Sequence, residues 1–247
     1  MAKPKRVGLI GAGAIGTVLA ESVQRELVKC DEIVVYDTDQ QRAQNLKNKL
    51  LFPVKVVDSV EAMLALKPKV IVEAASQQAI TEHFDKLLAA DVDIIVMSTG
   101  ALLSLGTGSP RVHFPSGAIG GLDALSSAVL AGVDEVTLIT HKPPKALNKD
   151  NTEELVVYGG NAKEAARLFP KAMNVAATLA LIVKPVPVKV QVVSDPKVTR
   201  NTHEIKIKWR YGEMHMQFAN DPHPDNPHTS ALAAWSAIRL LKTLLEA

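Results

Sequence analysis

Short apolar runs alternate with longer amphipathic stretches through the first hundred residues. The apolar runs are rich in Val and Ile and lack polar alternation, which is typical of parallel strands covered by helices on both faces. The predicted strands are Val7–Ile10, Ile33–Tyr36, Val54–Val57, Val70–Val72 and Ile94–Met97. The predicted helices between them are Ile15–Val28, Gln40–Leu50, Val60–Leu66 and Gln78–Ala89. Because right-handed crossovers join such strands, the pattern predicts a doubly wound α/β domain.

The pattern changes after Gly100. Residues 101–110 are predicted to form a connection, and Arg111–Pro115 could add a last strand to the first sheet. Further strands are predicted at Glu135–His141, Leu155–Tyr158, Val186–Val193, His203–Trp209 and Met214–Phe218. Further helices are predicted at Gly121–Ala131, Asn161–Leu168, Lys171–Ile182 and Ser230–Leu245. The hairpins predict a second α+β domain with a mainly antiparallel or mixed sheet, so we divide the chain into residues 1–110, 111–228 and 229–247.

Composition excludes several classes of protein. The 247 residues carry 28 Lys and Arg against 26 Asp and Glu, a net charge of +2, which gives no electrostatic reason to expect nucleic acid or an anionic membrane as a partner. No apolar run reaches the roughly 18 residues of a membrane-spanning helix. Cys30 is the single cysteine, so neither an intrachain disulfide nor a zinc site of several cysteines can form. We expect a soluble cytoplasmic protein without a metal.

A glycine-rich turn follows the first predicted strand. The sequence from Gly11 to Gly16 reads G-x-G-x-x-G and opens the first predicted helix, the context in which this motif binds a dinucleotide. The second strand ends at Asp37, 37 − 16 = 21 residues after the last glycine, where an acid binds the ribose hydroxyls. The predicted cofactor-binding residues of this region are Gly11, Gly13, Ala14, Ile15, Gly16 and Asp37.

The carboxylate of Asp37 favours NAD, because it would repel the 2′-phosphate of NADP. Arg42 is close enough in sequence to leave some use of NADP open. Two later strand ends are also predicted to face the cofactor, because ligands bind at the carboxyl ends of parallel strands. The residues concerned are Ala75, Ser76, Ser98 and Thr99. For the two serines, helix capping is an equally good interpretation.

His203 is the main candidate for proton transfer. Apolar residues occupy odd positions from Ile205 to Trp209 and charged residues occupy the even ones, so period two places His203 and Asn201 on the buried face of a strand. A histidine there could move a proton near neutral pH, although the pattern alone favours a hydrogen-bonded core histidine. His113, His141 and Lys142 are weaker candidates.

Six segments together resemble the L-aspartate dehydrogenase family over nearly the whole chain. They are Gly8–Gly16, Pro115–Leu125, His141–Pro144, Asn174–Leu181, Asp195–Ile205 and Asn226–Ser230. The first segment is common to many dinucleotide enzymes, whereas the others in this order are specific. The resemblance implies an NAD(P)-dependent amino-acid dehydrogenase that oxidises L-aspartate to iminoaspartate, which hydrolyses to oxaloacetate and ammonia or enters NAD biosynthesis.

The resemblance also implies roles for particular residues. It makes His203 the catalytic residue and makes Ala118 and Asn174 contacts of the cofactor. It implies a Rossmann domain, a second domain that forms a homodimer, a last helix that returns to the first domain, and a substrate site between the domains. The candidate substrate residues are Lys142, Arg200 and Asn201, of which the two cations are assigned from charge alone.

Two alternatives remain at this stage. A reductase of the dihydrodipicolinate type has a similar plan, but that family carries paired histidines that this chain lacks. A dinucleotide-binding sensor without catalytic activity would keep the glycine turn and would turn over no substrate.

Overall fold

A computed structural model describes residues 4–170, 173–223 and 226–246. These residues form two compact units, each with its own sheet. One unit contains the chain up to Pro115 together with the residues from Ala234 onward, and the other contains Ser116–Ala233. The sequence instead predicted domain boundaries after residues 110 and 228, and these boundaries stay predictions.

The first unit contains a parallel sheet of six strands. Its strands are β1 (Arg6–Ile10), β2 (Glu32–Tyr36), β3 (Val54–Val56), β4 (Val70–Glu73), β5 (Asp93–Val96) and β6 (Val112–His113). Their order is β3-β2-β1-β4-β5-β6, so the direction of winding reverses between β1 and β4. Ile33, Ile71, Ile94 and Ile95 are at most 1 % exposed, as expected for strands covered on both faces. The predicted doubly wound Rossmann sheet is confirmed.

Helices alternate with these strands. They are α1 (Ala14–Gln24), α2 (Gln40–Lys49), α3 (Val60–Ala65), α4 (Gln77–Ala89) and α5 (Leu102–Leu105). The side chains of Asp39, Ser59 and Ser76 cap α2, α3 and α4, respectively, by accepting a hydrogen bond from a backbone N–H of the first turn.

Three predictions for this unit were wrong in detail. The first helix ends at Gln24 and not at Val28, because Glu26 adopts a left-handed conformation with φ of 59°. Residues 101–110 were predicted as a plain connection, but they contain α5, preceded by a 3₁₀ turn at Thr99–Ala101. The last strand is limited to Val112–His113 within the predicted Arg111–Pro115.

The second unit contains a mixed sheet of five strands. Its strands are β7 (Val133–Lys142), β8 (Leu155–Asn161), β9 (Val188–Ser194), β10 (Asn201–Trp209) and β11 (Gly212–Asn220). The order is β11-β10-β7-β9-β8, with β7 and β9 parallel and the other neighbours antiparallel. The helices are α6 (Leu122–Ala131), α7 (Ala162–Leu168) and α8 (Asn174–Ile182). The predicted mixed sheet is confirmed, and Lys171 of the third predicted helix lies outside the described residues.

The core of the second unit lies between these helices and one face of the sheet. Leu125 of α6, Leu138 of β7 and Leu179 of α8 are fully buried there together with Ile205 of β10. The segment after β11 contains two paired strands, β12 (Pro222–His223) and β13 (Asn226–Ser230).

The last helix, α9 (Ala231–Glu246), belongs for most of its length to the first unit, as predicted. Leu241 and Leu245 are at most 2 % exposed, and Leu241 lines a small apolar cavity with Val7 and Leu19. Lys5 Nζ donates to the carbonyl oxygen of Leu245 over 2.8 Å, which satisfies one of the free carbonyls at the helix end. None of the helices in the described ranges is long and apolar enough to cross a membrane.

Candidate active site

The glycine turn joins β1 to α1 at the switch point of the first sheet. Gly11 has a φ of 101°, and a Cβ there would lie 2.7 Å from the carbonyl oxygen of Ala74. A Cβ on Gly16 would overlap the carbonyl oxygen of Gly11. By contrast, apart from Gly13 and its neighbours in the chain, none of the described residues has an atom within 4 Å of the place of a Cβ on Gly13. The first and third glycines are therefore required by packing, and the second faces open space that a phosphate group can enter.

Asp37 ties the end of β2 to this turn. The residue is 8 % exposed. Its Oδ2 accepts a hydrogen bond from the backbone N–H of Ala12 over 2.8 Å, and its Oδ1 accepts one from the backbone N–H of Asp39 over 2.9 Å. Each oxygen keeps a lone pair for a further donor such as a ribose hydroxyl. Arg42 is exposed, with Nη2 3.9 Å from Asp39 Oδ2.

These features fit NAD. The free N–H groups and the positive end of α1 suit the pyrophosphate, Gly13 leaves room for it, and Asp37 suits the ribose. The NAD cofactor supplies a hydride acceptor when it is bound, whereas the chain supplies binding, orientation and acid–base groups.

The ends of β4 and β5 are held together by Glu73, which the sequence analysis did not single out. This residue is 0 % exposed. Its Oε1 accepts from the backbone N–H of Ala75 over 2.8 Å and from Ser98 Oγ over 2.9 Å, and its Oε2 accepts from the backbone N–H of Ser98 over 3.0 Å. Burial raises the pKa of Glu73, and these hydrogen bonds act in the opposite direction.

The four residues predicted at these strand ends have different surroundings. Ala75 and Ser76 are exposed, whereas Ser98 and Thr99 are 7 % and 2 % exposed. Ser76 Oγ accepts from the N–H of Ala79 as the cap of α4, so its own proton stays available to a ligand. Ser98 donates its hydroxyl proton to Glu73 and can offer a ligand only a lone pair.

In the second unit, His203 lies on the buried face of β10 and is 4 % exposed. It is opposite Thr140 of β7, and His203 Nδ1 shares a hydrogen bond of 3.0 Å with Thr140 Oγ1. Burial and the charge of Lys142 together lower the pKa of His203 to about 4. The imidazole is therefore neutral at pH 7, and Thr140 fixes the ring so that Nε2 is the nitrogen left for a reaction.

Lys142 ends β7 beside this histidine and is 5 % exposed. Burial lowers its pKa. Within the described residues, its ammonium group has neither a hydrogen bond nor an ion pair. A buried cation without a partner is a favourable site for an anionic ligand. Burial takes away the hydration of the cation, and an opposite charge on the ligand compensates for that loss.

The other two candidate substrate residues differ from each other. Asn201 is 6 % exposed at the start of β10, two residues from His203 on the same strand. Arg200 is exposed and pairs with Asp221, with 2.7 Å between Nε and Oδ1. The structure thus brings Lys142, Asn201 and His203 to one end of the sheet and gives the guanidinium of Arg200 a carboxylate partner at the surface.

The two weaker histidine candidates are held by carboxylates. His113 Nε2 lies 2.9 Å from Oδ1 of Asp93, which stands at the amino end of β5, the end opposite to the strand ends that face the glycine turn. His141 Nδ1 lies 3.1 Å from Asp195 Oδ2, and the N–H of Asp195 donates to the carbonyl oxygen of Lys142 over 2.9 Å. This second pair anchors the strand end that carries Lys142.

The two residues implied as further cofactor contacts are Ala118, which precedes α6, and Asn174, which begins α8. The carbonyl oxygen of Ala118 accepts from Asn220 Nδ2 over 2.8 Å. Gly121 has a φ of 69°, and a Cβ there would overlap the sulfur of Met216, so β11 fixes the segment before α6. Asn174 is the first residue of α8. Among the described residues, no group of three His, Cys, Asp or Glu side chains could hold a metal ion.

The Rossmann sheet, the glycine turn and the acid at the end of β2 define an NAD(P)-dependent oxidoreductase. Residues 11–109 match the model of the homoserine dehydrogenase NAD-binding domain, and residues 123–244 match that of the aspartate dehydrogenase C-terminal domain. The chain belongs to the L-aspartate dehydrogenase family, because relatives above 30 % identity match it over almost its whole length.

Three relatives illustrate this similarity. The L-aspartate dehydrogenase of Methanothermobacter thermautotrophicus is 38 % identical, covering 97 % of this chain and 96 % of its own. That of Archaeoglobus fulgidus is 39 % identical, covering 97 % and 98 %. The crystal structure of aspartate dehydrogenase from Thermotoga maritima has a TM-score of 0.79 and 34 % identity, covering 97 % of this chain and 96 % of its own.

Proposed function

We propose that this protein oxidises L-aspartate with NAD, and that His203 and Lys142 perform the acid–base and charge-binding parts of the reaction. The single observation that carries the assignment of residues is a neutral, buried histidine next to a buried lysine that has no carboxylate partner among the described residues. Family membership supports the substrate, since the relatives named above are L-aspartate dehydrogenases.

When held by the glycine turn and Asp37, NAD would accept the hydride from Cα of an L-aspartate whose amino group is uncharged, which would leave the protonated carbon–nitrogen double bond of iminoaspartate. Water then adds to this carbon, and His203 Nε2 accepts the proton that the water loses. Transfer of that proton to the nitrogen makes the amine a leaving group, and ammonia departs as the new hydroxyl group gives up its proton, which yields the carbonyl group of oxaloacetate and ammonium. His203 is suited to this step because it is uncharged at neutral pH before the water attacks.

The ammonium group of Lys142 is proposed to bind the side-chain carboxylate of the substrate, and Asn201 to donate a hydrogen bond to it. Arg200 would take part only after leaving Asp221, so its role is the secondary one. On the cofactor side, Ala75, Ser76, Ser98, Thr99, Ala118 and Asn174 stay our proposed contacts, in addition to the glycine turn and Asp37.

A spectrophotometric screen tests this function directly. The purified protein is mixed with NAD or NADP and with L-aspartate, D-aspartate, L-glutamate, L-asparagine or L-alanine, and NADH formation is followed by its absorbance. We expect L-aspartate to be the best substrate. Binding of NADH without turnover of any amino acid would contradict the proposal and would indicate a dinucleotide-binding sensor.

The preference for NAD is expected to depend on Asp37. Replacement of Asp37 by Ala removes a carboxylate that binds ribose and repels a 2′-phosphate, so Kd for NADH should rise about tenfold while that for NADPH should stay level or fall. Fluorescence titration measures both constants. Asp58 is an exposed acid that follows the neighbouring strand β3, and Asp58→Ala is the matched control. A wild-type protein that binds NADPH more tightly than NADH would contradict this assignment.

We further propose that the protein acts in the cytoplasm as a homodimer formed by the second unit, and that its product feeds NAD biosynthesis. The free thiol of Cys30 agrees with a reducing compartment. Light scattering of the purified protein measures its mass, and a monomer at all concentrations would contradict the dimer.

A further inference from the structure

The carboxylate of Glu73 occupies a central place at the cofactor edge of the first sheet. Glu73 is the last residue of β4, and the other three residues of this strand, Val70, Ile71 and Val72, are all fully buried and apolar. A buried carboxylate costs free energy unless donors surround it, and here the donors come from the segments after β4 and after β5. No reacting group can reach Glu73 directly, since the residue is 0 % exposed.

Further contacts connect the same segments to the glycine turn. The backbone N–H of Ala74 donates to the carbonyl oxygen of Ile10 over 2.8 Å, and that of Met97 donates to the carbonyl oxygen of Glu73 over 3.0 Å. The carbonyl oxygen of Ala74 packs against Gly11 so closely that residue 11 has no room for a side chain. The amide group of Gln77 fills the place of a Cβ on Gly100.

We propose that Glu73 is a positioning residue that fixes the segments Ala74–Ser76 and Ser98–Gly100 in the arrangement that binds NAD. This inference rests on the proposed cofactor contacts of Ala75, Ser76, Ser98 and Thr99. Glu73 aligns them by accepting from both segments at once, so the two strand ends keep one mutual geometry before the cofactor arrives. Such preorganisation increases affinity because no ordering is needed on binding.

The hydrogen-bond pattern makes Glu73→Gln a sharp test. Oε1 accepts from the N–H of Ala75 and Oε2 accepts from the N–H of Ser98. A glutamine places an NH₂ group at one of these two positions. In either orientation, one backbone N–H faces another donor, and its segment must move away. We therefore expect Kd for NADH to rise about tenfold or more, which is the range for loss of a buried hydrogen bond.

The experiment measures Kd for NADH by fluorescence titration at a temperature where circular dichroism shows every variant to be folded. Val72→Ala is the matched control, because it opens a cavity in the same strand without touching these hydrogen bonds; it should lower Tm and leave Kd unchanged. Amide hydrogen exchange gives a second readout, and the exchange of Ala75 and Ser98 should accelerate in Glu73→Gln and not in the control.

Glu73→Asp keeps the negative charge on a shorter side chain. It replaces Glu73→Gln as the test variant if the glutamine variant does not fold. It cannot span both segments, so we expect a severalfold rise in Kd. A folded Glu73 variant that binds NADH as tightly as the wild type, with only Tm lowered, would overturn the inference. Failure of the wild type to oxidise L-aspartate while it binds NADH would instead overturn the proposed function alone.

Discussion

Replacement of His203 by Ala should lower kcat for L-aspartate oxidation by about 10²–10⁴, the usual contribution of general acid–base catalysis. The loss should fall on kcat, because His203 lies in the second unit while the glycine turn and Asp37 lie in the first. Stopped-flow and steady-state kinetics measure the effect, and fluorescence titration should give an unchanged Kd for NADH.

Thr140→Val is the companion variant for this prediction. It keeps the shape of the side chain and removes only the hydrogen bond to His203 Nδ1, so a smaller fall in kcat is expected. If His203 serves only to pack the core, His203→Ala should lower Tm, and the enzyme that remains folded should turn over nearly normally. That result would remove His203 from the mechanism.

The pH dependence of stability gives an independent check on His203. Its pKa is about 4 in the folded chain against 6.5 in the unfolded chain, because burial and Lys142 disfavour the charged ring. Between these two values, the unfolded chain binds the proton and the folded chain does not. The free energy of unfolding should therefore rise with pH from about 4 to 6.5. His203→Ala should remove this part of the slope in denaturant titrations.

Replacement of Lys142 by Met should lower kcat/KM for L-aspartate by roughly 10²–10³, since loss of one partner from a buried charge pair costs about 2–5 kcal/mol. The rate with L-alanine, which we expect to be low in the wild type, should change far less, because alanine lacks the side-chain carboxylate. The preference for aspartate over alanine should thus narrow. Initial rates with both amino acids over a range of concentrations measure the ratio.

Lys189→Met is the matched control for this substitution. Lys189 is a lysine of the neighbouring strand β9, and it is 68 % exposed and pairs with Glu135, so its loss should leave both substrates unaffected. The variant at Lys142 should also raise the pKa of His203, because it removes a nearby positive charge, and NMR titration can follow that change. An equal loss of rate with aspartate and alanine would contradict a role in binding the side-chain carboxylate.

The sequence was most informative where a residue's role depends on its neighbours along the chain. Gly11, Gly16 and Asp37 could be placed at the turn and at the end of β2 because the spacing of a strand, a turn and a helix determines where they lie. His203 could be placed on a buried face because period two is a local property of a strand. Glu73 could have been noticed in the same way, as the single charged residue of an apolar strand.

Other features depend on contacts that are distant in sequence. Thr140 becomes the partner of His203 only through the register of β7 against β10, which no local pattern reveals. Charge alone ranked Arg200 with Lys142. In the structure, Arg200 is paired with Asp221 at the surface, whereas Lys142 is buried and has no ionic partner among the described residues. The early end of α1 depends on the left-handed conformation of Glu26, which apolar periodicity could not indicate.

The division of the first unit between both ends of the chain has a consequence for synthesis on the ribosome. All six strands of its sheet leave the exit tunnel more than a hundred residues before Leu241 and Leu245. Until then, the apolar surface of Val7 and Leu19 lacks the helix that covers it. The second unit is continuous in sequence, so it can fold before the last helix of the first unit has been synthesised. Premature termination near residue 230 would therefore release a polypeptide whose nucleotide-binding sheet is uncovered, a natural substrate for chaperones and proteases.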